Sequence, residues 1–594
     1  MTRKITILLL LILSFKMVRS QVVIENNEQI EGFMKIPNES VFVHFNSSLL
    51  FTGEYLYYSV YCLNTKTKLL SDLSKVAYVE LVGPNAGTVF THKIKLEHGV
   101  GSGDFFIPVS VSSGNYKLVA YTNWMRNNDN HVIFQTDINI INPYKTSTSI
   151  SSVNDDKSQT KDLKLDAQDD KNSGPLNSNV ANNNSLNLKL DSKKFNKRSK
   201  VSLRLSGNTL DVIPKGNYSV SVRKKGSIPK PNIPSTLSFI DNLKNNKKES
   251  QIGTKVFLPE LRGELFSGKV STLNNNLSLN DLSVAISIPG DNSFFRIVKT
   301  NDNGEFFVEI DKYYSVDKMY LQVLGDNRNE YQIKLDEFKA VDHSNFEFNA
   351  FKIDPTWKDE IIKQSVHNQI ESAYFEFKPD SILAQLPLKF FENKKAEVFN
   401  LDDYTRFNTI RETITEIVKN VSFRKVNNEN YVLELQGFTF GTNTGIPPLV
   451  LVDGVVIQDH TALLEFNANN VTEISVYRDQ FVIGFNVFQG AISIKSIKGI
   501  EDYLQSEASI YSTEFFKPQL KKNYFTQIYT LDNQNSRIPD DRIQLLWIPH
   551  LELNSLETKL DFYTSDVEGE FETSLVGFTL DGKPVSVKNN FKVE

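Results

Sequence analysis

Cysteine is almost missing from this sequence: Cys62 stands alone among 594 residues. A single thiol excludes an internal disulfide, so each domain must hold by core burial. An excess of one charge is missing too. Lys and Arg number 66 against 71 Asp and Glu, a net charge of −5, which removes the basic footprint that nucleic-acid binding needs. Beyond the first twenty residues, no stretch approaches the ~18 apolar residues of a membrane helix, so no membrane span is expected. The eight histidines, His44, His92, His98, His131, His343, His367, His460 and His550, never fall in H-E-x-x-H, H-x-x-E or H-x-H spacing. That excludes the familiar zinc-peptidase patterns. There is no G-x-S-x-G and no P-loop, so neither a nucleophile elbow nor a phosphate cradle is expected. The expectation is therefore a protein that is not an enzyme, with no catalytic residues, no metal ligands and no cofactor.

The chain is rich instead in Phe (41) and Tyr (22), which favours β-rich domains over helical bundles. Its opening, "MTRKITILLLLILSFKMVRSQ", sets Arg3 and Lys4 before an apolar core from Ile5 to Phe15 and closes on Val18-Arg19-Ser20. This is the layout of a secretory signal peptide over 1–20, and it predicts an exported protein. Residues 21–143 alternate as strands with regular turns. Cys62, inside "YYSVYCLN", reads as a core thiol. Residues 144–194 are dominated by Asn, Ser, Asp and Lys, with no aromatic between Lys145 and Lys194. Such a composition cannot offset its ordering entropy, which predicts a disordered linker.

Strand patterns resume at "KVSLRLSG" and "NYSVSVRKKG" in a second β-rich domain, 195–255. A further sandwich spans 256–337, where Asn303-Gly304 predicts a tight hairpin turn. A helical connector covers 338–380. Asp354 suits an N-cap, Pro355 the first turn, and Ile362, Val366, Ile370 and Tyr374 make an apolar i+4 face. Residues 381–503 mix a helix, with Phe407, Ile410, Ile414 and Ile417 on one face, and short strands, a small α+β unit. Residues 504–594 return to β patterning. In "PPLVLVDGVVIQD", Asp453-Gly454 between two apolar segments is a hairpin signal. A catalytic acid there would need a partner group, and the sequence nominates none.

Three stretches carry family resemblances. "SVFVHFNSSLLFTGEYLYYSVYC" with "SGNYKLVAYTNWMRN" is similar to the MG2-type domain of alpha-2-macroglobulin-like proteins, through Gly53-Glu54 and Gly114, Tyr116, Ala120, Tyr121 and Thr122. "LPELRGELFSGKVSTLNNNLSLNDLSVAISIPGDNSFFRIVKTNDNGEFFVEI" resembles the carboxypeptidase-regulatory-like sandwich, an accessory domain. The Asp-Gly hairpin with "NANNVTEISVYRDQFVIGFNVFQGAISIKS" resembles the plug domain of TonB-dependent outer-membrane receptors. Val471, Ile474, Val476, Gly490, Ile492 and Ile494 match its tail, and "FNVFQ" departs from its glycine-rich turn. The order of these parts, with "RIPDDRIQLLWIP" and "FYTSDVEGEFETSLVGFTLDGKP" near the C-terminus, resembles envelope proteins of the Bacteroidota.

These resemblances imply a mainly β, multidomain protein: immunoglobulin-like β-sandwiches plus a small α+β plug-like domain. A receptor barrel of twenty-two strands takes about two hundred residues, and only 504–594 follow, so the plug-like unit is expected to stand without a barrel. The expected function is that of an exported, periplasmic or outer-membrane-associated interaction protein. It would bind a protein or macromolecular partner, such as an outer-membrane β-barrel protein, and no nucleic acid. The expected contact residues are Phe438 and Phe440 in the glycine-rich loop, with Asp453, Gly454 and Asp459 at the hairpin. The alternative is a protease-inhibiting or protease-sensing macroglobulin relative without the Cys-Gly-Glu-Gln thioester.

Overall fold

The computed structural model describes residues 21–23, 32–33, 35–84, 87–127, 133–145, 186–207, 213–245, 255–274, 276–290, 293–311, 314, 316–383, 395–427, 429–437, 446–497, 504, 507–530, 536–553 and 557–594. The expected leader 1–20, most of the expected linker, and Phe438 and Phe440 lie outside these residues. The protein is mainly β, built of small sandwiches and one α+β unit. Among the described residues no helix is long and apolar enough to cross a membrane.

The first sandwich sets the sheet of Glu39–Phe45, Tyr55–Asn64 and Val100–Phe106 against a five-stranded sheet. That sheet runs Leu49–Phe51, Phe134–Ile141, Gly114–Tyr121, Val76–Val82 and Thr88–Lys95. Glu39–Phe45 is buried at every position. Side chains alternate faces along a strand, and here both faces are covered. Phe42 meets Phe578 edge-on at 5.8 Å, and His44 Nδ1 lies 2.6 Å from Ser219 Oγ; both contacts are to a neighbouring body. Val41, Val43 and Phe45 turn to the opposite face. Cys62 is fully buried in the same core.

That neighbour joins two distant parts of the chain. One sheet is Leu186–Leu190, Lys200–Gly207 and Glu557–Tyr563. The other runs Lys194–Phe195, Pro584–Val593, Gly569–Thr579, Gly216–Lys224 and Gln544–Leu553. The segments expected as separate domains at 195–255 and 504–594 thus share one sandwich and one core, in which Leu203 and Val220 pack with Phe562 and Phe571. Leu186–Leu190 falls inside the expected linker, yet it pairs antiparallel with Lys200–Gly207. Its Leu186, Leu188 and Leu190 are the alternate buried positions, which supply the apolar face that the composition around them lacks.

A third sandwich stacks Glu305–Ile310, Glu264–Thr272 and Tyr331–Leu335 on Phe294–Lys299, Ser283–Ile288, Lys318–Val323 and Ile510–Glu514. Asn303-Gly304 does turn the chain, but not as the expected hairpin. The strands on either side belong to different sheets. Only Gly304, at φ +75°, has the left-handed conformation, whereas a type I′ turn needs two such residues. Asn301 Oδ1 closes the turn instead, accepting from Asn303 N and Glu305 N at 3.0 and 2.8 Å.

The α+β unit has the sheet order Glu397–Asn400, Val471–Tyr477, Ala491–Ser496, Leu449–Val452 and Val455–Val456. Val450, Val452, Ile492 and Ile494 face Ile410, Ile414 and Leu433. Leu449, Leu451 and Ala491 face Ala285, Phe295 and Ile297 of the third sandwich. Burial on both faces explains the continuous apolar run before Asp453. The helix is shorter than its pattern, Ile410–Glu416, because a capping box of Thr409 and Glu412 fixes its start.

Buried acids mark the contact of the first and third sandwiches. Lys93 pairs with Glu264 at 2.8 Å, both nearly buried, and Tyr314 OH donates to the same carboxylate. Glu260 accepts from Tyr78 OH at 3.1 Å, while its Oε2 is buried with no hydrogen-bond partner. Burial, only partly opposed by the Lys93 charge, pushes the Glu260 carboxyl up to about 8. In the unfolded chain it ionises near 4.5, so the folded state holds the extra proton between those values. Stability is therefore expected to fall as pH rises through this window. Thermal melts of Glu260→Gln should lose less stability than the native protein between about pH 5 and about pH 8.5. An equal loss in both would show that Glu260 is ionised in the fold.

Candidate functional site: a cleft where three bodies meet

The connector helix, Lys358–Ala373, follows a short turn of 3₁₀ helix, Pro355–Trp357, whose N-cap is Asp354, accepting from Thr356 N. Its orientation corrects the expected apolar face. Ile362 and Val366 are 51 % and 48 % exposed, while the buried side chains are Gln364, Ser365 and Asn368. The reason lies in one carboxylate of the first sandwich. Glu54, 6 % exposed, accepts from Gln364 Nε2 at 2.8 Å and Asn368 Nδ2 at 3.4 Å. Its other oxygen accepts from Arg223 Nη2 of the composite sandwich at 2.6 Å. A buried charge must be paired and hydrogen-bonded, so the polar face of the helix turns inward to Glu54.

A second knot closes the far end of the helix. Arg542 grips Asp540 with two bonds of 2.6 and 2.7 Å. Tyr529 OH donates to the same carboxylate at 2.7 Å. Lys378 binds Glu371 at 2.6 and 2.8 Å and reaches Asp540 at 3.5 Å. Burial alone would push the Asp540 carboxyl up, but the charges and hydrogen bonds of Arg542 and Lys378 hold it below the usual range. Asp541 N donates to Glu371 at 2.7 Å.

Between the knots lies a cleft of about 370 Å³ with aromatic walls. Tyr55 and Tyr57 lie two apart on one strand, so both rings leave the same face. Tyr57 stacks on Trp547 at 5.9 Å and meets Tyr524 edge-on at 5.1 Å. Tyr55 packs on Phe106 at 5.2 Å and stacks on Phe375 at 6.2 Å. Phe106 and Phe375 are 42 % and 48 % exposed at the rim. Asp380 also lines the cleft. Rings offering large apolar faces beside placed polar groups form a surface that can hold a ligand.

The hairpin residues lie elsewhere. Asp453 and Gly454, at φ +51° and +85°, form the turn between Leu449–Val452 and Val455–Val456. Asp453 accepts from Ser496 N at 2.8 Å and Ser496 Oγ at 2.6 Å, bracing the parallel neighbour strand. A side chain on Gly454 would meet Ser293 Cβ at 2.7 Å, so this corner faces the third sandwich. Asp459 caps the 3₁₀ turn His460–Leu463, accepting from Thr461 N at 3.0 Å. None of these three lines the junction cleft. Sequence reasoning missed Tyr55, Tyr57, Arg223, Asp380 and Trp547 as a set, although all but Asp380 sit inside stretches it singled out. Among the described residues no three His, Cys, Asp or Glu side chains gather to hold a metal.

No family model and no curated protein matches this sequence. Among solved structures it is similar to alpha-2-macroglobulin of Escherichia coli activated by porcine elastase. The two are 9 % identical over 94 % of this chain and 44 % of that one, with a TM-score of 0.23. Salmonella alpha-2-macroglobulin reacted with methylamine is 10 % identical over 93 % of this chain and 39 % of that one, at 0.22. This chain thus spans less than half of either match. At TM-scores of this size the overlays define no common fold.

Removing the Glu54 carboxylate leaves Arg223, its side chain 13 % exposed, without its ion-pair partner. Glu54→Ala is expected to cost about 3–5 kcal/mol, read by denaturant unfolding. Changing both residues together, Glu54→Gln with Arg223→Met, should cost clearly less than the single change. A double change that costs the sum of its two single changes would show that the pair is not coupled.

Proposed function

We propose that the chain is an exported, non-enzymatic interaction protein of a bacterial cell envelope, acting in the periplasm or at the outer membrane. It works by holding a protein partner, such as an outer-membrane β-barrel protein, against the three-body junction. The observation that carries this reading is the inverted connector helix. Its polar residues Gln364 and Asn368 are spent inside on Glu54, Ile362 and Val366 are left outside, and Phe375 and Phe377 just beyond the helix are 48 % and 62 % exposed. Apolar residues gathered outside a polar-faced helix support a contact surface, because nothing in the helix's own packing calls for them. The neighbouring aromatic cleft supplies the recessed anchor pocket that protein interfaces favour. The leader-like segment at the N-terminus supports export. Capture from envelope extracts of the source cells tests this. The native protein is expected to retain a partner that Ile362→Asp with Phe375→Ala loses at least tenfold, at unchanged thermal stability. Equal retention by both would remove the junction as the contact surface.

A further inference from the structure

Resting on the interaction reading above, the charge balance of the cleft identifies what enters it. Among the described residues six charged side chains line the cleft, and five are satisfied within the protein. Glu54 holds Arg223, Glu371 holds Lys378, and Arg542 holds Asp540 behind the wall. The sixth, Asp380, accepts only one hydrogen bond, from Phe525 N at 2.9 Å, and no cation stands within ion-pair distance of it among the described residues. The nearest candidate, Lys522, is 3.0 Å from Asp104, which also accepts from Tyr524 OH at 3.2 Å. Lys522 influences Asp380 only at longer range. Asp380 is half-buried, and burial pushes its carboxyl up, as for a carboxylate short of partners.

An unpaired carboxylate among electron-rich rings suits one class of ligand best. An anion would meet Asp380 and find Arg223, Lys378 and Arg542 already engaged. A neutral apolar group would strip water from Asp380 and return nothing. A cation gains the carboxylate, and gains the ring faces through cation–π attraction, which strengthens as water is excluded. We propose that the cleft receives a cationic side chain, a lysine or arginine of the partner protein, between Asp380 and the rings of Tyr55, Phe106 and Phe375. The cleft's volume of about 370 Å³ stands at the lower end of ligand pockets, roughly 300–1,000 Å³, which matches one long side chain with its flanking backbone.

The test is a ligand-observed NMR titration of the full chain with capped Gly-Xaa-Gly peptides, where Xaa is lysine, arginine, glutamate or leucine. The lysine and arginine peptides are expected to saturate. Asp380→Asn should weaken them at least tenfold, and Phe375→Ala at least threefold, without shifting the melting temperature. The glutamate and leucine peptides should bind at least tenfold more weakly. Equal binding of the leucine or glutamate peptide, or unchanged affinity in Asp380→Asn, would overturn the cationic occupant. If no peptide binds while partner capture still depends on Ile362 and Phe375, the cationic occupant fails and the junction reading stands. If capture is independent of those residues while lysine and arginine bind through Asp380, the cationic pocket stands and the junction reading fails.

Discussion

One buried carboxylate joins three parts of this molecule. Glu54 belongs to the first sandwich, Arg223 to the composite sandwich, and Gln364 and Asn368 to the connector helix, yet all four meet on two oxygens. A charge removed from water demands this many partners, and here they come from two other bodies, the composite sandwich and the connector helix. The arrangement fixes more than a contact. It decides which face of the helix is buried, and so which residues are left outside. It also sets the separation between the strand bearing Tyr55 and Tyr57 and the wall bearing Trp547, which is the width of the cleft.

The bodies are interleaved along the chain rather than strung in a row. Two stretches far apart in the chain, 186–224 and 544–593, build the composite sandwich, and Ile510–Glu514 returns to close a sheet of the third sandwich. Buried polar groups recur at these seams. Tyr61 OH donates to Ser219 Oγ at 2.9 Å between the first and composite sandwiches, and Lys93 meets Glu264 between the first and third. Buried hydrogen bonds and ion pairs of this kind add modest stability but penalise every misaligned docking, because each shift strands a buried polar group or charge. Apolar seams such as Phe42 on Phe578 supply area, and the polar seams supply register.

Local patterns in the sequence located several of the strands. Alternation marked Lys200–Gly207 and Gly216–Lys224, and Asp453-Gly454 marked its turn, because these depend on neighbours a few residues apart. Pairing across the chain left no such trace. Lys200–Gly207 is completed by Glu557–Tyr563, and nothing local in either segment names the other. The helix shows the reverse failure. Its i+4 apolar spacing was real, but Gln364 and Asn368 were drawn inward by a carboxylate three hundred residues earlier. The cleft was half visible: the aromatic and charged residues in "RIPDDRIQLLWIP" and the Gly53-Glu54 pair stood out as sequence, while their meeting depended on tertiary structure.

The most direct measurement of the Glu54 junction is a distance. Spin labels at exposed Lys363 on the helix and Lys66 on the first sandwich report whether one carboxylate fixes the two bodies. Double electron–electron resonance on the native protein should give one narrow distance distribution, and Glu54→Ala should broaden it or split it. A narrow distribution unchanged by Glu54→Ala would contradict the account, because the bodies would then be held by something other than that carboxylate.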